Sequence, residues 1–394
     1  MRDFEPKKMK AITFTGIRRV LEKATQMEAA GQSIVHFEIG QPDFVTPQYI
    51  RDAACASLQK GNTRYTSNYG TMALRKAIAE KLERENNIHA DPDGEIMVTV
   101  GGEEAMAAAI LALVDAGDEV ILSDPGYCPY DSMVKIANAV PVYVPLREDT
   151  NWSFDLEALE RSITPRSTLL MLTSPSNPTG TMMDRESLER LAEICVKHDL
   201  VVIADEAYER VLYDGNIHVS IASLPGMWER TVTIQSFSKS YSMCGFRIGY
   251  IAACKNLMRI LIRSHQKIVL CATSFAQDAA LAALQGQSDE ISHMLTEFDK
   301  RRVLIYDTFV RLQIPCNKPQ AAFYVFPNVS CLGMDGDEFC NRFLDEYGVA
   351  CVPGSEFGPH ARNHVRISYA TSLEQCQEGM ERLTRFVQKC RGEI

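Results

Sequence analysis

No apolar run in this 394-residue sequence approaches the roughly 20 residues that a helix needs to cross a bilayer. The longest, "AMAAAILALV" (105–114), falls far short, so no membrane span is expected. The N-terminal "MRDFEPKKMKAITF" lacks the continuous apolar core of a secretion signal, and a cytoplasmic protein is expected. Blocks of one charge are also missing. The 41 basic and 51 acidic residues are interspersed and give a formal net charge of -10, which argues against nucleic acid as a partner. Twelve cysteines are present without a single CxxC pair, a pattern of reduced structural thiols rather than a disulfide framework. There is no internal repeat and no low-complexity linker, and the dinucleotide fingerprint GxGxxG does not occur.

What is present is an alternation. Between about 95 and 250, short β-branched runs ("GEIMVTV", "DEVILSD", "AVPVYVPL", "STLLMLTSP", "LVVIADEAY", "TVTIQSF") alternate with helical patterns such as "RESLERLAEICVKHD", 185–199. Several of the runs have no polar face, as expected of strands covered by helices on both sides of a mainly parallel sheet. The fold class expected is therefore α/β, with a central, mostly parallel sheet flanked by helices. Beyond about 290 the pattern changes to a long amphipathic helix and then short strands in "AAFYVFPNV", "GVACVPGSEFG" and "HVRISYA", a smaller α+β unit. The organisation expected is an N-terminal arm and part of the small domain over 1–45, a large domain over 46–290, and a C-terminal small domain over 291–394.

Polar and glycine-rich residues gather where the strands end, which is where open α/β sheets bind ligands. Gly101 and Gly102 open a helix whose free N–H groups suit a phosphate, although such a pair also serves simply for a tight turn. "SPSNPTG" presents Asn177, and "ADEAYE" presents Asp205 and Tyr208; a plain turn and a helix cap are the ordinary alternatives. "SFSKSYSMCGFR" sets Ser236, Ser238, Lys239 and Arg247 around one strand end. A shielded lysine can lose its charge and attack a carbonyl. Together these groups suit a phosphate-bearing aldehyde cofactor. Gly102, Ser236, Ser238 and Arg247 suit its phosphate, Lys239 its aldehyde and Asp205 a protonated ring nitrogen.

This ordered series, with "FEIGQPDFVTP" before it and "HVRISYATS" after it, resembles the class I pyridoxal-phosphate-dependent aminotransferases of the aspartate aminotransferase fold. The likeness is greatest to their bacterial and archaeal broad-specificity branch and runs over nearly the whole chain. It implies pyridoxal 5'-phosphate as cofactor, with Lys239 bonded to its aldehyde and later moving a proton. It further implies Asp205 at the ring nitrogen, Asn177 and Tyr208 at the 3-oxygen, and Tyr127 stacked on the ring. Gly102, Glu103 through its N–H, Ser236, Ser238 and Arg247 would hold the phosphate. Tyr65 would reach the phosphate of a second subunit, so a homodimer is implied. Arg366 and Gly40 would bind the substrate carboxylate, and Thr15, Gly16 and Ile17 would lie near the substrate side chain. The implied activity is transfer of an amino group between an L-amino acid and a 2-oxo acid through a pyridoxamine form, with neutral, aromatic or broad donors. A carbon–sulfur β-lyase of the same fold is the alternative.

Glu103 departs from relatives that carry lysine there and prefer dicarboxylic substrates. A carboxylate facing the pocket would repel a second substrate carboxylate by roughly 1 kcal/mol or more. One facing solvent would leave only its N–H in play. "HARNH" sets His360 and His364 at a metal-like spacing, but a proline precedes it and a strand follows, so no metal is expected. Asp205 and Glu206, adjacent on a strand, face opposite ways and make a poor acid–nucleophile pair. A DNA-binding regulator built on the same fold is not expected, since no basic helix-turn-helix pattern precedes it.

Overall fold

The computed structural model describes residues 4–12, 14, 16–286 and 289–393. Thirteen strands occur among them: β1 Val35–His36, β2 Ile96–Thr99, β3 Glu119–Asp124, β4 Val140–Arg147, β5 Ser153–Phe154, β6 Ser167–Thr173, β7 Val201–Asp205, β8 Thr231–Ser236, β9 Gly249–Ala252, β10 Tyr324–Val325, β11 Val349–Ala350, β12 Val352–Pro353 and β13 Val365–Ser368. Eight of them form one sheet in the order β2-β9-β8-β7-β6-β3-β4-β5. The pairings from β8 through β4 are parallel, while β9 runs antiparallel to both of its neighbours, and β5 to β4. All six expected strands are here; β9, from "RIGYIAA", was not anticipated.

Strand β6 shows why these runs have no polar face. Leu169 and Met171 enter a core shared with Met106 and Ile110 of the helix Gly101–Leu113 and Met258 and Leu261 of the helix Lys255–Ile268. Leu170 and Leu172 point the other way, onto Leu188, Leu191 and Cys195 of the helix Arg185–Lys197. Period-2 alternation thus feeds two cores, each buried side chain contributing about 1.5–3 kcal/mol. The same parity places Asp205 on the face of Ile203, which belongs to the Gly101–Leu113 side. Asp205 is the last residue of β7, and there it is buried against a cavity instead of joining the apolar core.

A separate core joins the helix Asp289–Arg311 and the helix Leu373–Cys390 with β10, β13 and Val35 and Phe37 from the beginning of the chain. β1 pairs with β11 in parallel, and β10-β13-β12 form an antiparallel sheet. Val365 and Ile367 lie in that core, so Arg366 between them faces away from it. Among the described residues no helix is long and apolar enough to cross a membrane.

The strand that leads to Gly40 carries a charged pair. Glu38 is fully buried and accepts a hydrogen bond from His36 Nδ1 at 2.7 Å. That bond, with Glu28 on the other ring nitrogen, raises the His36 pKa to about 9. A raised folded-state value means that the stabilisation is complete below the ordinary 6.5 and is lost as pH climbs through about 9. The pair is expected to contribute on the order of 2 kcal/mol at pH 6. Thermal unfolding of wild type and His36→Gln should therefore converge as pH rises from about 6.5 through about 9, and a gap independent of pH would rule the pair out as its source.

Candidate active site

One cavity is lined by Gly102, Glu103, Met106, Tyr127, Thr173, Asn177, Asp205, Ala207, Tyr208, Ser236, Ser238, Lys239 and Arg247. Ten of the residues singled out in the sequence are among them, drawn from the ends of five strands, β2, β3, β6, β7 and β8, and the turns that follow. Gly40 and Arg366 adjoin it. Lys239 Nζ donates to the Gly40 carbonyl at 2.6 Å, and Arg366 Nη1 donates to Asn177 Oδ1 at 3.1 Å.

Lys239 rides on a single helical turn, Phe237–Ser240, capped by Ser236, whose Oγ accepts from Ser238 N. The residues that follow return the chain through a short turn to Arg247, which sits at φ 51°, a left-handed conformation that costs a non-glycine residue about 1–3 kcal/mol. Arg247 Nη1 is held by the Cys244 carbonyl. Its guanidinium lies so close to the Gly-Gly turn that a Cβ on Gly101 would stand 2.6 Å from Nη2. Glycine at 101 is thus required twice over, for its φ of 78° and for this approach. Backbone N–H groups at a helix start, two serine hydroxyls and a guanidinium converge on one corner, a donor set that fits a phosphate.

At the opposite end Asp205 accepts from the Tyr130 hydroxyl at 2.8 Å and from Ala207 N at 3.2 Å. Burial raises its pKa, those two donors hold it back, and Glu206 and Glu103 add to the rise. A buried carboxylate in this setting is matched by a cationic N–H on a ligand. Tyr208, buried, shares a hydrogen bond of 2.8 Å with Tyr324. The Tyr324 hydroxyl passes so near Gly40 that a Cβ there would come within 2.1 Å.

Arg366 is 2% exposed. Its partners are neutral: Asn177 Oδ1, the Glu38 carbonyl at 2.6 Å, and the rings of Tyr324 and Phe357 at 4.7 and 5.1 Å. Its Nε has no hydrogen-bond partner. A buried guanidinium without a carboxylate is costly, and here one face of it is reserved for an anion.

Glu103 turns toward the cavity, since its Oε1 accepts from the Tyr127 hydroxyl at 2.7 Å. Tyr65 is 85% exposed and does not line the cavity. Ile17 packs instead against a cluster containing Trp152, Phe326 and Phe357, next to Gly16, whose N–H donates to Glu356 at 2.6 Å. Thr15 lies outside the described residues. His360 pairs with the fully buried Asp124, and His364 stacks on Phe326. Sequence reasoning missed Tyr130, Thr173 and Tyr324. A threonine closing the apolar run "LLMLT", and a second tyrosine one helical turn after Tyr127, were the available signals for the first two; "AAFYVF" gave none.

Glu206 points away from the cavity, as adjacent strand residues must. With Glu209 and His218 it forms a buried group whose potential metal-ligating atoms lie within 4.8 Å. Lys81 already neutralises Glu209 there, Asn86 Nδ2 donates to it, and Ser220 and Gln235 donate to Glu206. With a lysine and a histidine supplying the positive charge, the cluster is closed without an ion.

Residues 32–383 match the family described as aminotransferase class I and II. Among curated proteins, the chain is 38% identical to an aspartate aminotransferase of Pyrococcus abyssi, covering 94% of this chain and 95% of that protein. It is 36% identical to the aromatic-amino-acid aminotransferase 2 of Thermococcus litoralis, covering 95% of each. Among solved structures, an aromatic aminotransferase from Pyrococcus horikoshii superposes with a TM-score of 0.89 at 38% identity, covering 95% of this chain and all of that one.

Proposed function

The chain belongs to the class I and II aminotransferases, and we propose that it transfers an amino group between an L-amino acid and a 2-oxo acid with pyridoxal 5'-phosphate as its cofactor. The observation that carries this reading is the pairing of a cavity-lining lysine with a buried arginine that has no carboxylate partner. In it Gly102, the Glu103 N–H, Ser236, Ser238 and Arg247 hold the phosphate, Asp205 faces the ring nitrogen, Asn177 and Tyr208 the 3-oxygen, and Tyr127 a ring face. When bound, the cofactor supplies an aldehyde and an electron sink for the charge left at Cα of the amino acid.

The protein's own groups do the rest. Arg366 and Gly40 fix the α-carboxylate, and a bidentate guanidinium–carboxylate pair orients the substrate as well as binding it. Tyr324 backs both Arg366 and Tyr208, so one side chain braces the carboxylate site and the 3-oxygen site. Lys239, tethered on one short turn, takes the proton from Cα at its Nζ and returns it on the far side of the reaction. Asp205, buried and held by Tyr130, keeps a proton on the ring nitrogen. Tyr65, exposed on this chain, reaches the site of a second copy, making the working unit a homodimer. Glu103 sets a carboxylate toward the cavity, which would repel a second substrate carboxylate and favours neutral or aromatic donors.

Mixing cofactor-loaded protein with an amino acid should convert its visible absorption to that of the pyridoxamine form, and a 2-oxo acid should restore it. If no amino acid does so, transamination is refuted. The β-lyase alternative is not favoured, since the named relatives are aspartate and aromatic aminotransferases. It would instead release pyruvate and ammonia from cystathionine without any acceptor.

A further inference from the structure

The helix Gly101–Leu113, whose first N–H groups face the phosphate corner, begins without an ordinary cap. Its N-cap is Val100, whose side chain accepts no hydrogen bond. A serine, threonine, aspartate or asparagine there would bond N–H groups of the first turn. Valine takes up none of them, which leaves them for an anion, but the turn must then be fixed from elsewhere. Two side chains do so. Thr99 Oγ1 donates to the Gly101 carbonyl at 3.1 Å, and Glu104 Oε2 reaches back to accept from Val100 N at 3.0 Å. The second contact matches one half of a capping box.

Glu104 does not hold this pose alone. Its other oxygen, Oε1, lies 2.9 Å from Nδ1 of His265, which is fully buried in the helix Lys255–Ile268. An ionised carboxylate only accepts, so Nδ1 carries the proton and donates. His265 continues the buried stripe of Met258 and Leu261, where a leucine would fill the space as well. A polar ring there costs free energy unless it is hydrogen-bonded, and its Nε2 has no hydrogen-bond partner among the described residues. The bond to Glu104 is what leucine could not supply. Glu103 turns its carboxylate to Tyr127 instead, so of these two adjacent glutamates only Glu104 braces the turn with its side chain.

We propose that Glu104, oriented by His265, is a positioning residue for the cofactor's phosphate: by fixing Val100 N it aims the N–H groups of Gly102 and Glu103. The inference rests on the pyridoxal 5'-phosphate reading above. Protein loaded with pyridoxal 5'-phosphate, or with pyridoxal, which has the same ring and aldehyde but no phosphate, is diluted and cofactor release is followed by absorbance. Glu104→Ala should release pyridoxal 5'-phosphate about 10-fold faster than wild type, the worth of one hydrogen bond to a charged group, and pyridoxal at a rate within about twofold. Glu104→Gln keeps an acceptor for Val100 N and should bring pyridoxal 5'-phosphate release back to within about twofold of wild type. His265→Leu removes the donor that orients Glu104 and should speed that release about threefold, which carries the test if Glu104→Ala does not fold. Release that is unchanged in the folded variants, equally accelerated for the two cofactors, or not rescued by glutamine overturns the positioning role. A wild type that retains no pyridoxal 5'-phosphate fails the earlier reading instead.

Discussion

Lys239→Ala is expected to lower transamination by at least about 10²–10⁴-fold, the usual worth of a positioned acid–base group, with a further loss from the missing covalent attachment. Lys239 Nζ lies in the cavity wall, and among its lining residues no second lysine could substitute. Borohydride treatment followed by peptide mass analysis gives an independent readout. Wild type should retain the cofactor covalently on the peptide containing Lys239, and the variant should retain none. The fold should survive, because Lys239 makes one hydrogen bond, to the Gly40 carbonyl, and a cation–ring contact to Phe323 at 5.8 Å. A variant that kept wild-type turnover would move the nucleophile elsewhere.

Arg366→Lys should be nearly as damaging, for a different reason. Lysine keeps the charge but not the planar fork, and it abandons Asn177 Oδ1 and the Glu38 carbonyl in a site that is 2% exposed. Truncating one partner of a buried, hydrogen-bonded charge pair costs about 2–5 kcal/mol. The drop in kcat/KM should then be about 30-fold to several thousand-fold for amino acids. The rate with a simple amine lacking an α-carboxylate should hardly change. Equal losses for both classes would mean that Arg366 supports the fold and does not read the carboxylate.

Much of this was legible in the sequence, and the reason is local. Lys239, Asp205, Asn177 and Arg247 sit at strand ends, where parity and chain direction decide which side chains reach the rim. Alternation in "STLLMLTSP" and "LVVIADEAY" carries that information without any tertiary knowledge. Arg366 was legible only through resemblance: "HVRIS" by itself describes a strand with one outward arginine and says nothing of Asn177, 189 residues earlier, as its partner. Tyr324 was illegible because its role arises where three distant segments meet, at Gly40, Tyr208 and Arg366. The direction of Glu103 depended likewise on the Tyr127 hydroxyl, a contact that spacing along the chain does not encode.

The turn after β7 has two working faces. Asp205 and Tyr208 line the cavity, while Glu206 and Glu209 are locked into the buried charges of Lys81 and His218. Directed evolution of this enzyme toward new chemistry would therefore meet its narrowest passage here. A substitution at 205 or 208 alters the reaction, one at 206 or 209 strands a buried charge, and even the intervening Ala207, outside the ionic group, touches the cavity and packs against the neighbouring core.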